Sequence, residues 1–110
     1  METEYQVVLV TAPDAEVGRR VARKVLEEKL VACVNIVPQI ESLYWWEGKI
    51  DSSNEVLLVM KTRTGHLGDL EQAVLSEHPY DTPEFVALPI TAGSEKYLSW
   101  IADSTRTAVD

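Results

Sequence analysis

The side chains best suited to bind a ligand stand in three separate stretches of the sequence. Cys33 is the single cysteine of the 110 residues, Lys61 follows in the middle of the chain, and the third stretch contains His78, Tyr80 and Glu84. Thiolates and imidazoles are ligands for transition metals, and a neighbouring ammonium favours the thiolate form of a cysteine. These five residues are therefore the candidates for a ligand cleft.

Each candidate also has a purely structural explanation. Cys33 in a strand would be a small buried hydrophobic residue. His78 at the end of a helix would interact, as an imidazolium, with the negative end of the helix dipole. Lys61, Glu55 and Glu84 would form a structural ion-pair network or the polar floor of a pocket. The residues alone leave both interpretations open.

A long hairpin must position several of these residues. The segment from Cys33 to Thr62 consists of two runs rich in Val, Ile, Leu, Tyr and Trp around Glu47-Gly48. Glycine accepts the positive φ that a tight hairpin turn needs. A two-residue loop places Cys33 near Lys61 and Thr62. Pro38 cannot donate a hydrogen bond to a ladder, so it predicts a bulge or an edge position.

The hairpin is too long for a small domain to cover. Each of its strands spans roughly 14 residues, whereas a usual strand has about five or six. Its end carries Tyr44, Trp45 and Trp46, and an exposed apolar end favours aggregation unless another surface buries it. We therefore expect an obligate oligomer with these three aromatic residues at its interface. The alternative is a curled hairpin whose tip packs on its own domain.

The remaining elements complete an α+β fold. Before the hairpin we expect a buried strand over 5–11 and an amphipathic helix over the valines 17, 21 and 25. After the hairpin we expect a second helix, capped by Thr64 and ending near His78, and then a strand over 84–91. A short last helix should follow, before a frayed end from residue 103. This order is the ferredoxin-like split βαβ arrangement, βαββαβ, with an added C-terminal helix. Right-handed crossovers place both main helices on one face of the sheet and leave the other face bare.

Composition and charge restrict the function classes. The net charge of −8 argues against nucleic acid or an anionic membrane as partner, because both would repel the protein. A single cysteine cannot form an intramolecular disulfide, which fits a reducing compartment. The first residues lack a leader pattern and no run approaches the roughly 18 apolar residues of a membrane span. We expect a soluble cytoplasmic protein.

Motifs of catalytic sites are missing from the sequence. It contains no Ser-His-Asp order, no phosphate-cradling glycine loop and no HExxH string, and its 18 acidic residues show no distinctive pairing. We expect a protein that is not an enzyme.

Seven short strings follow one another along the chain. They are Ala32-Cys33-Val34-Asn35, Tyr44-Trp45-Trp46-Glu47-Gly48-Lys49-Ile50, Glu55, Lys61-Thr62, His78-Pro79-Tyr80, Pro83-Glu84 and Tyr97-Leu98-x-Trp100-Ile101. In combination they resemble the CutA family of divalent-cation tolerance proteins, and the resemblance extends from Val7 to Ile101. It implies a single ferredoxin-like domain over residues 1–110, assembled as a homotrimer similar to PII signalling proteins, with a role in tolerance of copper and other divalent cations.

The resemblance also implies candidate metal ligands. Copper-binding relatives have a cysteine at the position of Val10 and two histidines at the positions of Glu77 and His78. The carboxylate and imidazole of this chain suit a harder or borderline divalent ion, whereas soft Cu(I) prefers thiolate. Glu77 and His78 are therefore the metal-ligand candidates, for copper or another divalent cation that is not an obligatory cofactor.

Two functions are consistent with this sequence. The first is a trimeric protein of divalent-cation (copper) tolerance or response that binds a cation or a small ligand in clefts between subunits. The second is a rigid trimeric scaffold, or a PII-like signalling or adaptor protein, without a metal function. In both functions the partner is another copy of the chain, and neither function involves nucleic acid or a membrane.

Overall fold

Residues 4–107, which a computed structural model describes, form four strands and three helices around one sheet. The elements are β1 (Tyr5–Ala12), α1 (Ala15–Glu27), β2 (Cys33–Trp46), β3 (Lys49–Arg63), a 3-10 turn (Thr64–His66), α2 (Leu67–Glu77), β4 (Val86–Pro89) and α3 (Glu95–Ser104). The strands pair antiparallel in the order β2-β3-β1-β4. The ferredoxin-like order predicted from the sequence is confirmed, with β1 as an inner strand.

The core lies between one face of the sheet and the helices α1 and α2. Alternate residues of the inner strands point toward the helices, and the side chains of Val8 and Val10 in β1 and Leu58 in β3 are fully buried. Val21 of α1 and Leu70 of α2 meet them in the same cluster. Burial of each large apolar side chain contributes about 1.5–3 kcal/mol, so this face supplies the main cohesion of one chain.

The hairpin turn has the predicted two-residue form. Glu47 and Gly48 have φ values of 50° and 77°, as expected for a turn whose twist matches its strands. Cys33 pairs with Lys61 in the resulting register. The prediction of a bulge at Pro38 is also confirmed, because the register shifts between Val37 and Ile40.

The end of the hairpin extends beyond the rest of the sheet. The ladder between β1 and β3 ends at the pair Ala12–Val56, so residues 49–55 of β3 pair with β2 and have no β1 residue beside them. We call residues 40–55 the hairpin arm. Its seven residue pairs span roughly 24 Å, and a two-stranded hairpin on its own is only marginally stable in water. Within residues 4–107, the arm therefore lacks the neighbouring strand that supports the rest of the hairpin.

Two predicted boundaries were wrong. Thr64 was expected to cap α2, but it begins the 3-10 turn and α2 starts at Leu67. Its hydroxyl oxygen accepts a hydrogen bond from Gln6 Nε2 at 3.0 Å, so the residue ties the turn to β1. The last strand was expected over 84–91, whereas β4 covers Val86–Pro89, because it pairs with only four residues of β1.

The end of α3 is anchored, which contradicts the expected fraying from residue 103. The helix continues through Ser104 and Thr105 is fully buried. Arg63 Nε donates to Thr105 Oγ1 at 2.9 Å, and His66 Nε2 lies 2.8 Å from the Thr105 carbonyl oxygen. These contacts join positions far apart in the sequence. Residues 108–110 lie outside the described part of the chain.

Within residues 4–107, no helix has the length and apolar character needed to cross a membrane.

Candidate functional site

The first cluster of candidate residues lies at the base of the hairpin. Cys33 and Lys61 are directly opposed across β2 and β3, and Cys33 is half-buried. Its Sγ lies 3.8 Å from Asn35 Oδ1 and 3.9 Å from the Tyr97 hydroxyl of α3. The Lys61 ammonium donates to the same Asn35 oxygen. One amide therefore contacts both the thiol and the cation.

The Tyr97 hydroxyl closes this cluster from the side of α3. Ser94 Oγ caps that helix by accepting from the Tyr97 amide at 3.1 Å, which fixes the first turn. Burial and the hydrogen bond to Cys33 raise the pKa of Tyr97. The cluster thus brings together a phenol, a thiol, an amide and an ammonium.

The second cluster begins at His78, where α2 ends. The imidazole is buried and both of its nitrogens are engaged: Nε2 donates to the Thr11 carbonyl oxygen at 2.7 Å, and Nδ1 accepts from the Tyr80 amide at 3.1 Å. This pair of bonds defines the neutral tautomer with the proton on Nε2. A metal ion would have to displace one of the two bonds.

Tyr80 links His78 to the hairpin arm. Its hydroxyl donates to Glu55 Oε2 at 3.0 Å, and its ring centroid lies 4.7 Å from that of His78. Burial, followed by the hydrogen bond to the Glu55 carboxylate, raises the pKa of Tyr80 to about 12. Glu55 itself is buried, and a buried polar group is stabilised by such a hydrogen bond.

The structure does not bring the five cleft candidates together within one chain. Thr11, which binds His78, pairs with Leu57, whereas Lys61 pairs with Val7. These positions are four residues apart along the strands, or roughly 13 Å. Cys33 and Lys61 form one cluster, His78 and Tyr80 form another, and Glu84 is exposed ahead of β4. A single cleft made by all five stays a prediction for the assembled protein.

The two metal-ligand candidates likewise do not form a site in one chain. Glu77 Oε1 lies 3.5 Å from Arg20 Nε of α1, and the nitrogens of His78 are engaged as described. No group of three His, Cys, Asp or Glu side chains within residues 4–107 is arranged to hold a metal ion. The donors that the structure describes in one chain therefore do not fit a closed metal centre.

The three aromatic residues predicted for an interface lie on the hairpin arm. Trp45 is 74% exposed and Trp46 57%. Tyr44 is less exposed, and its hydroxyl donates to Ser53 Oγ at 3.2 Å across the arm. The indole rings therefore form an apolar surface that the described part of the chain leaves open to solvent.

Sequence reasoning missed the roles of Asn35 and Tyr97. Asn35 follows Cys33 by two residues in a strand, so the two side chains share a face, and this spacing was a usable signal. The contact of Tyr97 joins positions 64 residues apart. It depends on the path of α3 over the sheet, which no local pattern indicates.

Comparisons with known proteins agree with this fold. The family model described as CutA1 divalent ion tolerance protein matches residues 6–104. Protein CutA, chloroplastic, from Arabidopsis thaliana is 55% identical over 100 residues, which cover 91% of this chain and 55% of that protein. The divalent-cation tolerance protein CutA of Thermus thermophilus is 46% identical over 91% of this chain and 97% of its own length.

Similarity to solved structures extends over almost the whole chain. The crystal structure of CutA1 from Oryza sativa has a TM-score of 0.92 and 51% identity, covering 96% of this chain and 97% of that one. The chain spans about half the length of the curated plant relatives that it matches. The matches to related sequences, to solved structures and to the family model cover nearly the same part of the chain. The chain therefore belongs to the CutA1 divalent ion tolerance protein family.

Proposed function

We propose that this chain functions as a homotrimer in tolerance of divalent cations, copper among them, and binds a cation or a small ligand in clefts between its subunits. The observation that carries the proposal is the apolar hairpin arm, which residues 4–107 leave uncovered. Leu43 is 67% exposed and Ile50 66%, beside the two exposed tryptophans. The family description supplies the connection to divalent ions.

The shape of the sheet supports assembly into a ring. β2 and β4 are its two edges, and both edges carry exposed apolar side chains, among them Val37 on β2 and Val86 and Leu88 on β4. Unpaired edges and apolar patches are stabilised by contact with another chain. A head-to-tail contact that closes on itself produces a ring, and we assign three subunits, with Tyr44, Trp45 and Trp46 at the interface.

The separation of the two side-chain clusters supports a cleft between chains. Lys61 lies level with Val7 of β1, whereas His78 binds at Thr11, four residues or roughly 13 Å further along the same strand. A neighbouring copy would bring the second cluster of one chain toward the first cluster of another, and Glu84 would contribute from the exposed segment before β4. A divalent cation at Glu77 and His78 would be exchangeable rather than obligatory, because it competes with the bonds that these residues already make.

The surroundings of the protein are part of the same proposal. We assign a cytoplasmic location and self-association, with neither nucleic acid nor a membrane as partner, because the net charge of −8 disfavours both. No catalytic step is assigned. The Arabidopsis relative is named as chloroplastic, so the compartment differs within the family.

The engaged state of the candidate ligands favours a second function. Both nitrogens of His78 are hydrogen-bonded and Glu77 is paired with Arg20. Side chains that are already engaged in hydrogen bonds or ion pairs suit a purely structural role as well as they suit ligand binding. The alternative is therefore a trimeric scaffold or PII-like adaptor that displays a partner protein and has no metal function.

Isothermal titration calorimetry separates the two functions. Cu²⁺, Zn²⁺ and a set of small metabolites are titrated into the wild type, the double variant Cys33→Ala/His78→Ala and the control Glu71→Ala, which alters an exposed carboxylate of α2. We expect binding heat from wild type and control, and at least tenfold weaker binding by the double variant. Null traces from wild type and double variant alike would contradict ligand binding. A stoichiometric protein partner without any ligand response would favour the scaffold.

A further inference from the structure

The Tyr80 hydroxyl contacts the hairpin at the point where the arm leaves the sheet. Glu55, its acceptor at 3.0 Å, is the β3 residue next to Val56, and Val56 is the last residue of β3 that pairs with β1. Tyr80 thus binds β3 one residue beyond the end of β1. The segment that follows α2 therefore contacts the hairpin at the point where β1 ends.

The opposite strand bends at the same level. Glu55 pairs with Ile40, the first residue after the register shift in β2, and Gln39 within that shift has a φ of 58°. A bulge redirects the strand that contains it and increases the local twist. The direction of the arm is therefore set at the pair Ile40–Glu55, where the Tyr80 hydroxyl is bound.

The other end of this contact is held firmly. His78 Nε2 donates to the Thr11 carbonyl oxygen at the end of β1 at 2.7 Å, and the Tyr80 amide donates to His78 Nδ1 at 3.1 Å. The rings of the two residues lie 4.7 Å apart. His78 and Tyr80 therefore form a short bridge from the end of β1 to the base of the arm.

We propose that the Tyr80–Glu55 hydrogen bond is a brace that fixes the direction of the hairpin arm and couples the ligand segment 78–84 to self-association. The inference rests on the proposed function, because it joins the arm of the trimer to the loop that carries His78, Tyr80 and Glu84. A ligand that contacts this loop and alters the bond would change the stability of the assembly. Assembly would change the affinity for that ligand by the same factor, since coupling between two sites is reciprocal.

Tyr80→Phe tests the brace with little change in shape. Hydrogen exchange is followed by mass spectrometry at one protein concentration, and the dissociation constant of the assembly is measured by sedimentation. We expect the arm amides, residues 40–55, to exchange about tenfold faster and the dissociation constant to rise about tenfold, a factor equivalent to about 1.4 kcal/mol. Amides of β1 should exchange as in the wild type. Ser76→Ala, which removes a side-chain hydroxyl that donates to the Ala73 carbonyl oxygen within α2 at 2.9 Å, is the control and should leave arm and assembly unchanged.

A second pair of variants identifies the acceptor. Glu55→Met removes the carboxylate, and the double variant Tyr80→Phe/Glu55→Met removes both partners. Both single variants and the double variant lack the same Tyr80–Glu55 hydrogen bond. We therefore expect the double variant to accelerate exchange of the arm amides no more than the single variant with the larger effect does. Additive effects would overturn the assignment of Glu55 as the partner that matters.

Three further results would overturn the inference. The first is that the arm amides of Tyr80→Phe exchange at the wild-type rate. The second is that amide exchange accelerates equally in β1 and in the arm, which indicates a general loss of stability. Faster arm exchange with an unchanged dissociation constant would refute the coupling to assembly. These outcomes are independent of ligand heats in the titrations, so a failure of the proposed ligand site and a failure of the brace are distinguishable.

Discussion

Lys61 lies directly opposite Cys33 across the β2–β3 ladder, yet its ammonium donates to the Asn35 side chain on the same face. The Asn35 oxygen also contacts the Cys33 thiol at 3.8 Å. The amide therefore connects the cation and the thiol, and its position follows from the period of two in β2. This relationship gives the cluster a structural role that can be measured without a ligand.

Lys61→Met should destabilise the protein moderately. The substitution keeps the length of the side chain but removes the ammonium that binds Asn35. A hydrogen bond of a charged group is worth more than a neutral one, but solvent screens this exposed contact, so we expect a loss of about 0.5–1 kcal/mol. Urea unfolding at one fixed protein concentration measures it. Lys96→Met on the exposed side of α3 is the control, and an equal loss in both variants would contradict the role of the contact.

Gly18→Ala should strain the contact between α1 and the sheet. An added Cβ would lie 3.1 Å from Val56 Cγ2 and 3.3 Å from Leu58 Cδ2, both of them core side chains. Overpacking of this kind costs about 1–3 kcal/mol, partly offset by the roughly 1 kcal/mol that alanine gains over glycine in a helix. Gly68→Ala in α2 meets nothing within 4 Å and should be neutral or stabilise by up to about 1 kcal/mol. Thermal unfolding of the two variants in parallel checks the contrast, and equal effects would be inconsistent with close packing at Gly18.

The stability that Tyr80 contributes should decrease in alkaline solution. Burial and the bond to Glu55 raise its pKa to about 12 from 10.0, so the fold favours the neutral phenol. The contribution of Tyr80 to the free energy of unfolding is complete below about pH 10, the pKa of its phenol in the unfolded chain. It is lost as the pH rises from about 10 to about 12. The stability difference between wild type and Tyr80→Phe should therefore shrink over that range, as measured by urea unfolding. A constant difference would argue against the hydrogen bond of the Tyr80 phenol to Glu55.

Trp45→Ala should weaken self-association strongly. The indole is 74% exposed in one chain, and aromatic anchors at the centre of an interface contribute about 2 kcal/mol or more. We expect the dissociation constant to rise by a factor of about 30 or more. Leu75→Ala removes another exposed apolar side chain, 44% accessible on α2, and should have no such effect. Equal dissociation constants for Trp45→Ala and wild type would remove the arm from the interface.

The hairpin was predictable because its signals are local. The glycine of Glu47-Gly48 fixes a two-residue loop, the loop length fixes the register, and the register places Cys33 opposite Lys61. Pro38 marks the bulge through its missing amide hydrogen. Each of these inferences uses only neighbouring residues.

The missed features depend on the path of the chain in space. Thr105 is held by Arg63 and His66, and Tyr80 reaches Glu55 across 25 positions. No periodicity connects such residues, because a loop or a helix end intervenes between them. The division of the candidate site into two clusters was therefore invisible from the sequence, although most of its members were named.

The central claim is that other copies of the chain cover the hairpin arm, and sedimentation equilibrium tests it most directly. At micromolar concentration we expect a single species with three times the chain mass of 12.3 kDa. A folded species of one chain mass under the same conditions would contradict it.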